Sequence, residues 1–260
     1  MNVKDKIVLV TGAAQGIGQA LCVRFQAEGA RRVIVSDRNA SGAEAVARQI
    51  GGLAIPCDVT QADEVAAMVA KVHAEIGSID LYCSNAGIIE PDPDFHNAAS
   101  ASEASWARSW AVNVMGHVYA ARAVLPSMIA RRQGGILNTV SAAGLLSQIG
   151  SATYSTTKHA ALGFTEHLAI AHRDDNIHVA ALCPQGVDTA MTRGASAKEP
   201  ALLDGLLSPE AVADSVITGL AERHFLILPH PQVLSYVRHK AADTDRWIGG
   251  MAKLRRNSKG

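Results

Sequence analysis

Residues 6–18 read KIVLVTGAAQGIG, and the order of residue types in that stretch decides the fold. Residues 6–10 form an apolar, β-branched run, the pattern of a strand covered on both faces. Gly12, Gly16 and Gly18 come next. A helical pattern follows through Ile17, Leu21, Val23, Phe25 and Ala27 and closes at Gly29. Glycines permit a tight turn and a close backbone approach, and the helix start offers free N–H groups and a positive dipole end to a pyrophosphate. Gly12, Gln15, Gly16, Ile17 and Gly18 are the candidate phosphate contacts.

The same alternation continues outward. RVIVSDR is a second strand that ends at Asp37, about 20 residues beyond the glycines, where a carboxylate can accept hydrogen bonds from both ribose hydroxyls of an adenosine. Asp37 would repel the 2′-phosphate of NADP, and Arg38 beside it softens that preference, so NAD is favoured. LAIPCDV is a third strand, with Asp58 and Val59 where an adenine would lie. IDLYCSNAG is a fourth. Its small residues Asn85, Ala86 and Gly87 let a flat ring approach the backbone. A continuous helix is expected from about 102 to 132, with Trp106, Trp110, Val114, Val118 and Val124 inward and Asn113 among them. GGILNTVSAAG, IHVAALCP and FLILP complete seven strands. Seven strands joined by helices, with no linker or composition break, predict a single Rossmann-type α/β domain over residues 1–260. Its seven-stranded parallel sheet is doubly wound, with helices on both faces.

Between the fifth and sixth strands lies SAAGLLSQIGSATYSTTK, residues 141–158. Tyr154 and Lys158 stand four apart, so on a helix they share a face. A cation beside a phenol favours the phenolate and lowers its pKa, giving a proton donor and acceptor usable near neutral pH. Ser141, before the helix, can bring a hydroxyl to the same substrate oxygen.

Taken in order, these motifs resemble the short-chain dehydrogenase/reductase family over nearly the full length. The matching residues are Thr11 to Gly18, Asn85 to Gly87, Asn113, Ser141, and Tyr154 with Lys158. The family's P-G-x-V-x-T motif reads here Pro184-Gln185-Gly186-Val187-Asp188-Thr189, so Gln185 takes the glycine's place beside the nicotinamide. The resemblance implies four catalytic residues. Tyr154 exchanges the proton with the substrate oxygen, Lys158 lowers the tyrosine pKa and holds the nicotinamide ribose, Ser141 hydrogen-bonds the carbonyl or alkoxide, and Asn113 supports a proton relay through water. It also adds Pro184, Val187 and Thr189 to the cofactor contacts, and it implies a homo-oligomer, tetramer or dimer.

Three segments, 88–97, 142–150 and a lid at 190–207, are expected to wall the substrate pocket. They offer mostly apolar side chains, among them Ile88, Ile89, Phe95, Leu145, Leu146, Ile149, Met191, Leu202, Leu203, Leu206 and Leu207. Gln148 and Gln185 are candidate polar contacts, and Arg193 and Lys198 the cations of the lid. Such a lining suits an apolar secondary alcohol or ketone. Residues 231–260 read as a C-terminal helix and tail docked on the body or on a neighbouring subunit.

Composition narrows the alternatives. With 24 Lys+Arg against 24 Asp+Glu there is no electrostatic case for nucleic acid or an anionic membrane. The 10 histidines and 4 cysteines show no metal-ligand spacing, and no metal is expected. The N-terminus, MNVKDKIVLV, runs straight into a strand, with neither a signal-peptide pattern nor a spanning stretch, which predicts a cytoplasmic protein. The alternative function is an NAD(H)-binding regulatory protein that kept the fold without the chemistry. An epimerase or dehydratase would need a longer chain with an added substrate region.

Overall fold

The computed structural model describes residues 1–193 and 204–258. Lys198, Leu202 and Leu203 of the expected lid therefore lie outside the described residues. The sheet consists of β1 (Ile7–Thr11), β2 (Arg32–Ser36), β3 (Leu53–Ala54), β4 (Leu81–Ser84), β5 (Gly134–Thr139), β6 (Ile177–Leu182) and β7 (Leu226–Ile227). They lie in the order β3-β2-β1-β4-β5-β6-β7, every pair parallel. The chain leaves β1 toward β2 and β3, then returns to place β4 on the other side of β1. That reversal opens a crevice at the strands' C-terminal ends.

Strand alternation divides the core in two. Val8, Val10, Val33 and Val35 face one layer, in which α1 (Gly16–Ala27), α2 (Ala40–Ile50) and α7 (Pro209–Ala221) bury Leu21, Val46 and Val216. Ile7, Leu9 and Ile34 face the other. There α3 (Ala62–Glu75), α5 (Gly116–Arg131) and α6 (Ala152–Ala171) bury Met68, Val124 and Leu168. Both faces are covered, which is why β1 reads as an unbroken apolar run.

Three elements differ from the sequence expectation. The third strand pairs only at Leu53 and Ala54, because Pro56 has no N–H to give the ladder, although Ile55 N and Cys57 N still bond Val35 O and Asp37 O at 3.0 and 3.2 Å. The helix expected over 102–132 is interrupted. After α4 (Glu103–Trp110) comes a π-helical turn, Ala111–Met115, before α5. The wider turn changes the angular phase, so α4 turns Ser105 and Ser109 inward while Trp110 is 43% exposed. The tail forms two helices, α8 (Gln232–Ala242) and α9 (Thr244–Asn257), with Asp243 capping the second by accepting from Arg246 N at 2.9 Å. Among the described residues no helix is long and apolar enough to cross a membrane.

Candidate active site

A cavity of about 350 Å³ lies in the crevice between the ends of β1, β4 and β5. Gly12 and Gly16 line it with φ of +63° and +57°, backbone that side chains strain to adopt. Gly18 lies beneath. A Cβ there would stand 2.2 Å from Gly12 O, so helix and turn can touch only with glycine present. Gln15 at the N-cap of α1 makes no side-chain cap, and no acid sits in the first turn. The helix start is thus left free for an anion, with Gln15 and Ile17 beside it.

Asp37, Asp58 and Val59 line the adenosine end expected from the sequence, with Arg38 exposed nearby. Asp37 accepts from Ala14 N at 3.1 Å and Asn39 N at 2.9 Å, which holds its carboxylate against the glycine turn. Asn85 fixes the floor. Its amide donates to Thr11 O and Gly12 O at 3.1 and 3.2 Å and accepts from Thr139 Oγ1 at 3.1 Å, tying three strand ends together. Ala86 and Gly87 line the cavity beside it, as do Pro184, Val187 and Thr189 from across the crevice. A glycine cradle, an uncapped helix start and a carboxylate on the neighbouring strand fit a dinucleotide.

Ser141, Tyr154 and Lys158 line the same cavity. Ser151 caps α6 by accepting from Tyr154 N at 3.3 Å and donates to Glu90 O at 2.6 Å, while Asp92 accepts from Ala152 N at 2.9 Å. The aperiodic loop after β4 is thus pinned to the start of the helix that carries the tyrosine. Lys158 Nζ lies 5.5 Å from the Tyr154 ring centroid and donates to Thr139 O at 2.9 Å. Burial brings the Lys158 pKa down to about 8. It pushes the Tyr154 phenol up, opposed by a hydrogen bond from Ser141. In this state, then, the leading influence on the phenol is desolvation and not the neighbouring cation.

Asn113 is fully buried in the π-helical turn. Its Oδ1 accepts from Ile88 N at 2.9 Å, and its Nδ2 donates to Ile88 O at 2.9 Å and Thr157 Oγ1 at 3.1 Å. A Cβ on Gly87 would stand 3.4 Å from both Asn113 Oδ1 and Lys158 Nζ. Gly87 thereby leaves a gap between an acceptor and a donor. Sequence reading missed His117 on α5. It is buried, with Nδ1 2.8 Å from Ser84 Oγ, and burial and then the charge of Lys158 bring it down to about 3. It is neutral at every working pH.

Ser141 and Gln185 also line a second, larger cavity of about 690 Å³. Gln148, Leu146 and Ile149 contribute from the segment after Ser141. Of the expected wall residues, Phe95, Leu206 and Leu207 line neither cavity, and three more go elsewhere. Leu145 packs against the core clusters beside Leu228 and lines neither cavity. Ile89 lines neither cavity, while its neighbour Ile88 faces the smaller one. Met191 lines the dinucleotide cavity. The missing wall is α8 and α9, which supply Tyr236, His239, Trp247, Met251 and Leu254. Two cations fasten this wall. Lys240 Nζ donates to Leu145 O and Leu146 O at 2.9 and 3.0 Å, and Arg255 stacks over the Phe95 ring at 4.4 Å and donates to Phe95 O. The signal in the sequence was the helical spacing of Val233, Val237, Trp247 and Met251. It marks an amphipathic tail without saying what the tail covers.

Residues 6–200 match the family model described as short chain dehydrogenase. The chain is 32% identical over 237 residues to epidermal retinol dehydrogenase 2 of Mus musculus, covering 88% of this chain and 75% of that one. It is 30% identical over 256 residues to 1-deoxy-11-beta-hydroxypentalenate dehydrogenase of Streptomyces exfoliatus, covering 95% and 91%. Among solved structures, a short chain dehydrogenase/reductase from Burkholderia phymatum in complex with NAD superposes with a TM-score of 0.83 at 25% identity, covering 94% of this chain and 96% of that one. Fold and site together define a nicotinamide-dependent oxidoreductase. The chain belongs to the short-chain dehydrogenase/reductase family.

Proposed function

We propose that this protein is an NAD-dependent oxidoreductase that interconverts an apolar secondary alcohol and a ketone. The observation that carries the reading is the meeting of the two cavities at Ser141 and Gln185, with Tyr154 and Lys158 on the dinucleotide side. The dinucleotide, when bound, accepts or donates the hydride. Ser141 hydrogen-bonds the substrate oxygen and holds it against the Tyr154 phenol. Tyr154 takes the hydroxyl proton as the alcohol is oxidised, or returns it as the ketone is reduced. The Lys158 ammonium, in a site largely closed to solvent, stabilises the phenolate that forms. A water held in the gap beside Gly87 by Asn113 Oδ1 would carry the proton between Lys158 and solvent, with the amide oxygen positioning the water and exchanging no proton. Proton exchange of this kind is worth ~10²–10⁴-fold.

Asp37 supports NAD over NADP, since a 2′-phosphate would be placed against its carboxylate. The exposed Trp110 on α4 and Ile170 on α6 support assembly with a second copy of the chain. The retinol of one named relative agrees with an apolar substrate. The purified protein with NAD and a panel of cyclic secondary alcohols should form NADH. Tight NAD binding without turnover on any member, or on the matching ketones with NADH, would contradict the reading.

A further inference from the structure

Among the described residues, two buried side-chain atoms in the lining of the larger cavity make no hydrogen bond, Gln185 Oε1 and Asp204 Oδ2. Both are acceptors, so what this wall lacks is a donor. Asp204 has donors at hand within the protein. Its other oxygen accepts from Tyr236 OH at 3.0 Å. His230, 3% exposed, accepts from Gln185 N on Nδ1 at 3.1 Å, which leaves the ring proton on Nε2. Burial lowers the His230 pKa and the charge of Asp204 opposes it, so ring and carboxylate are near neighbours. No comparable donor attends Gln185 Oε1 among the described residues. The bond to His230 holds the Gln185 backbone, and its amide, on a soft last torsion, is free to turn toward a donor in the cavity.

Gln185 also stands beside the reacting carbon. Ser141 and Gln185 are the residues common to both cavities. Pro184, the residue before it, accepts from Ser141 Oγ at 3.4 Å and from Ala142 N at 2.8 Å. A glycine in place of Gln185 would offer no side-chain acceptor there. We infer that the substrate carries a second hydroxyl on the carbon next to the carbinol, as an otherwise apolar vicinal diol or the matching hydroxyketone, and that Gln185 Oε1 accepts from this hydroxyl. The inference rests on the alcohol/ketone reading above and deepens it. A hydroxyl suits the site better than an ammonium, because Gln185 is neutral and Lys158 in the adjoining cavity repels a second cation. Oxidation sends the carbinol hydrogen to NAD as hydride and the carbinol O–H proton to Tyr154. The second hydroxyl keeps its proton and orients the substrate.

The test uses the purified protein with NAD and vicinal decahydronaphthalene diols, each stereoisomer separately. Beside them run their monomethyl ethers, the matching amino alcohols and the plain decahydronaphthols. The ether keeps the electron withdrawal of the second oxygen and loses the donor. For the wild type, kcat/KM for the best diol should exceed that of its ether and of its amino alcohol at least about tenfold. Gln185→Met should bring the diol-to-ether ratio close to unity, Gln185→Glu, which keeps an acceptor, should retain it, and Asp204→Asn should leave it in place. Equal kcat/KM for diol and ether, a ratio that survives Gln185→Met, a ratio lost in Asp204→Asn alone, or faster turnover of the amino alcohol overturns the inference. Turnover of the plain alcohol in any of those cases still upholds the dehydrogenase reading. Failure of every compound to turn over, with NAD bound, overturns both.

Discussion

Ser141 holds its hydroxyl on a backbone at φ 96° and ψ 151°, a region essentially reserved for glycine. Ser141 N donates to Leu182 O at 3.1 Å, Ala142 N to Pro184 O at 2.8 Å, and Ala143 N to Ser141 Oγ at 3.2 Å, so the surrounding strand and turn hold the strain in place. Ser141→Gly should therefore unfold at higher denaturant than Ser141→Ala, by about 1–3 kcal/mol, while both lose turnover. Asn113→Ala leaves Ile88 N and O without their partners and should cost ~1–3 kcal/mol in the same measurement. Lys158 gives a pH signature. Its pKa falls from 10.5 unfolded to about 8 folded, so the cost of burying the ammonium is fully present below pH 8 and gone above 10.5. The stability of the wild type relative to Lys158→Met should rise across that window in the cofactor-free protein. A flat difference would mean that the ammonium is solvated.

At the scale of elements, the tail helices are a strap laid over the substrate cavity and fastened at two points, Lys240 on the segment after Ser141 and Arg255 on the loop after β4. Arg255→Ala should loosen the far fastening and raise KM for ring alcohols several-fold, with little change in Tm, because both side chains are only partly buried and such contacts are each worth ~0.5–1 kcal/mol. The elements also mark where sequence reading stopped. β1 and its glycine turn were legible because their requirements are local: a run covered on both faces, and backbone angles that only glycine adopts freely. The π-helical turn at Ala111–Met115 was not, because one wider turn leaves no periodicity of its own and shows only in where Trp110 ends up. Leu145 and Leu146 are equally apolar neighbours, and only the docking of α8 decides that Leu146 meets the cavity. The strain at Ser141 is likewise a tertiary matter, imposed by the neighbouring strand.

Across the whole molecule, the strand order places the glycine turn, Asp37, the end of β4 and the helix of Tyr154 around one crevice, although they are far apart in the chain. Cofactor choice belongs to this scale. Asp37→Ala should raise the NADP-to-NAD ratio of kcat/KM at least about tenfold if the carboxylate is what excludes the 2′-phosphate. An unchanged ratio would assign the preference elsewhere. The central claim is narrower: Tyr154 moves the proton while the crevice holds the dinucleotide. The direct measurement is turnover and NAD affinity of Tyr154→Phe beside the wild type, with a cyclic secondary alcohol that the wild type oxidises. The account predicts that NADH formation falls by at least ~10²-fold while the Kd for NAD stays within a few-fold. Oxidation by Tyr154→Phe at the wild-type rate would contradict it.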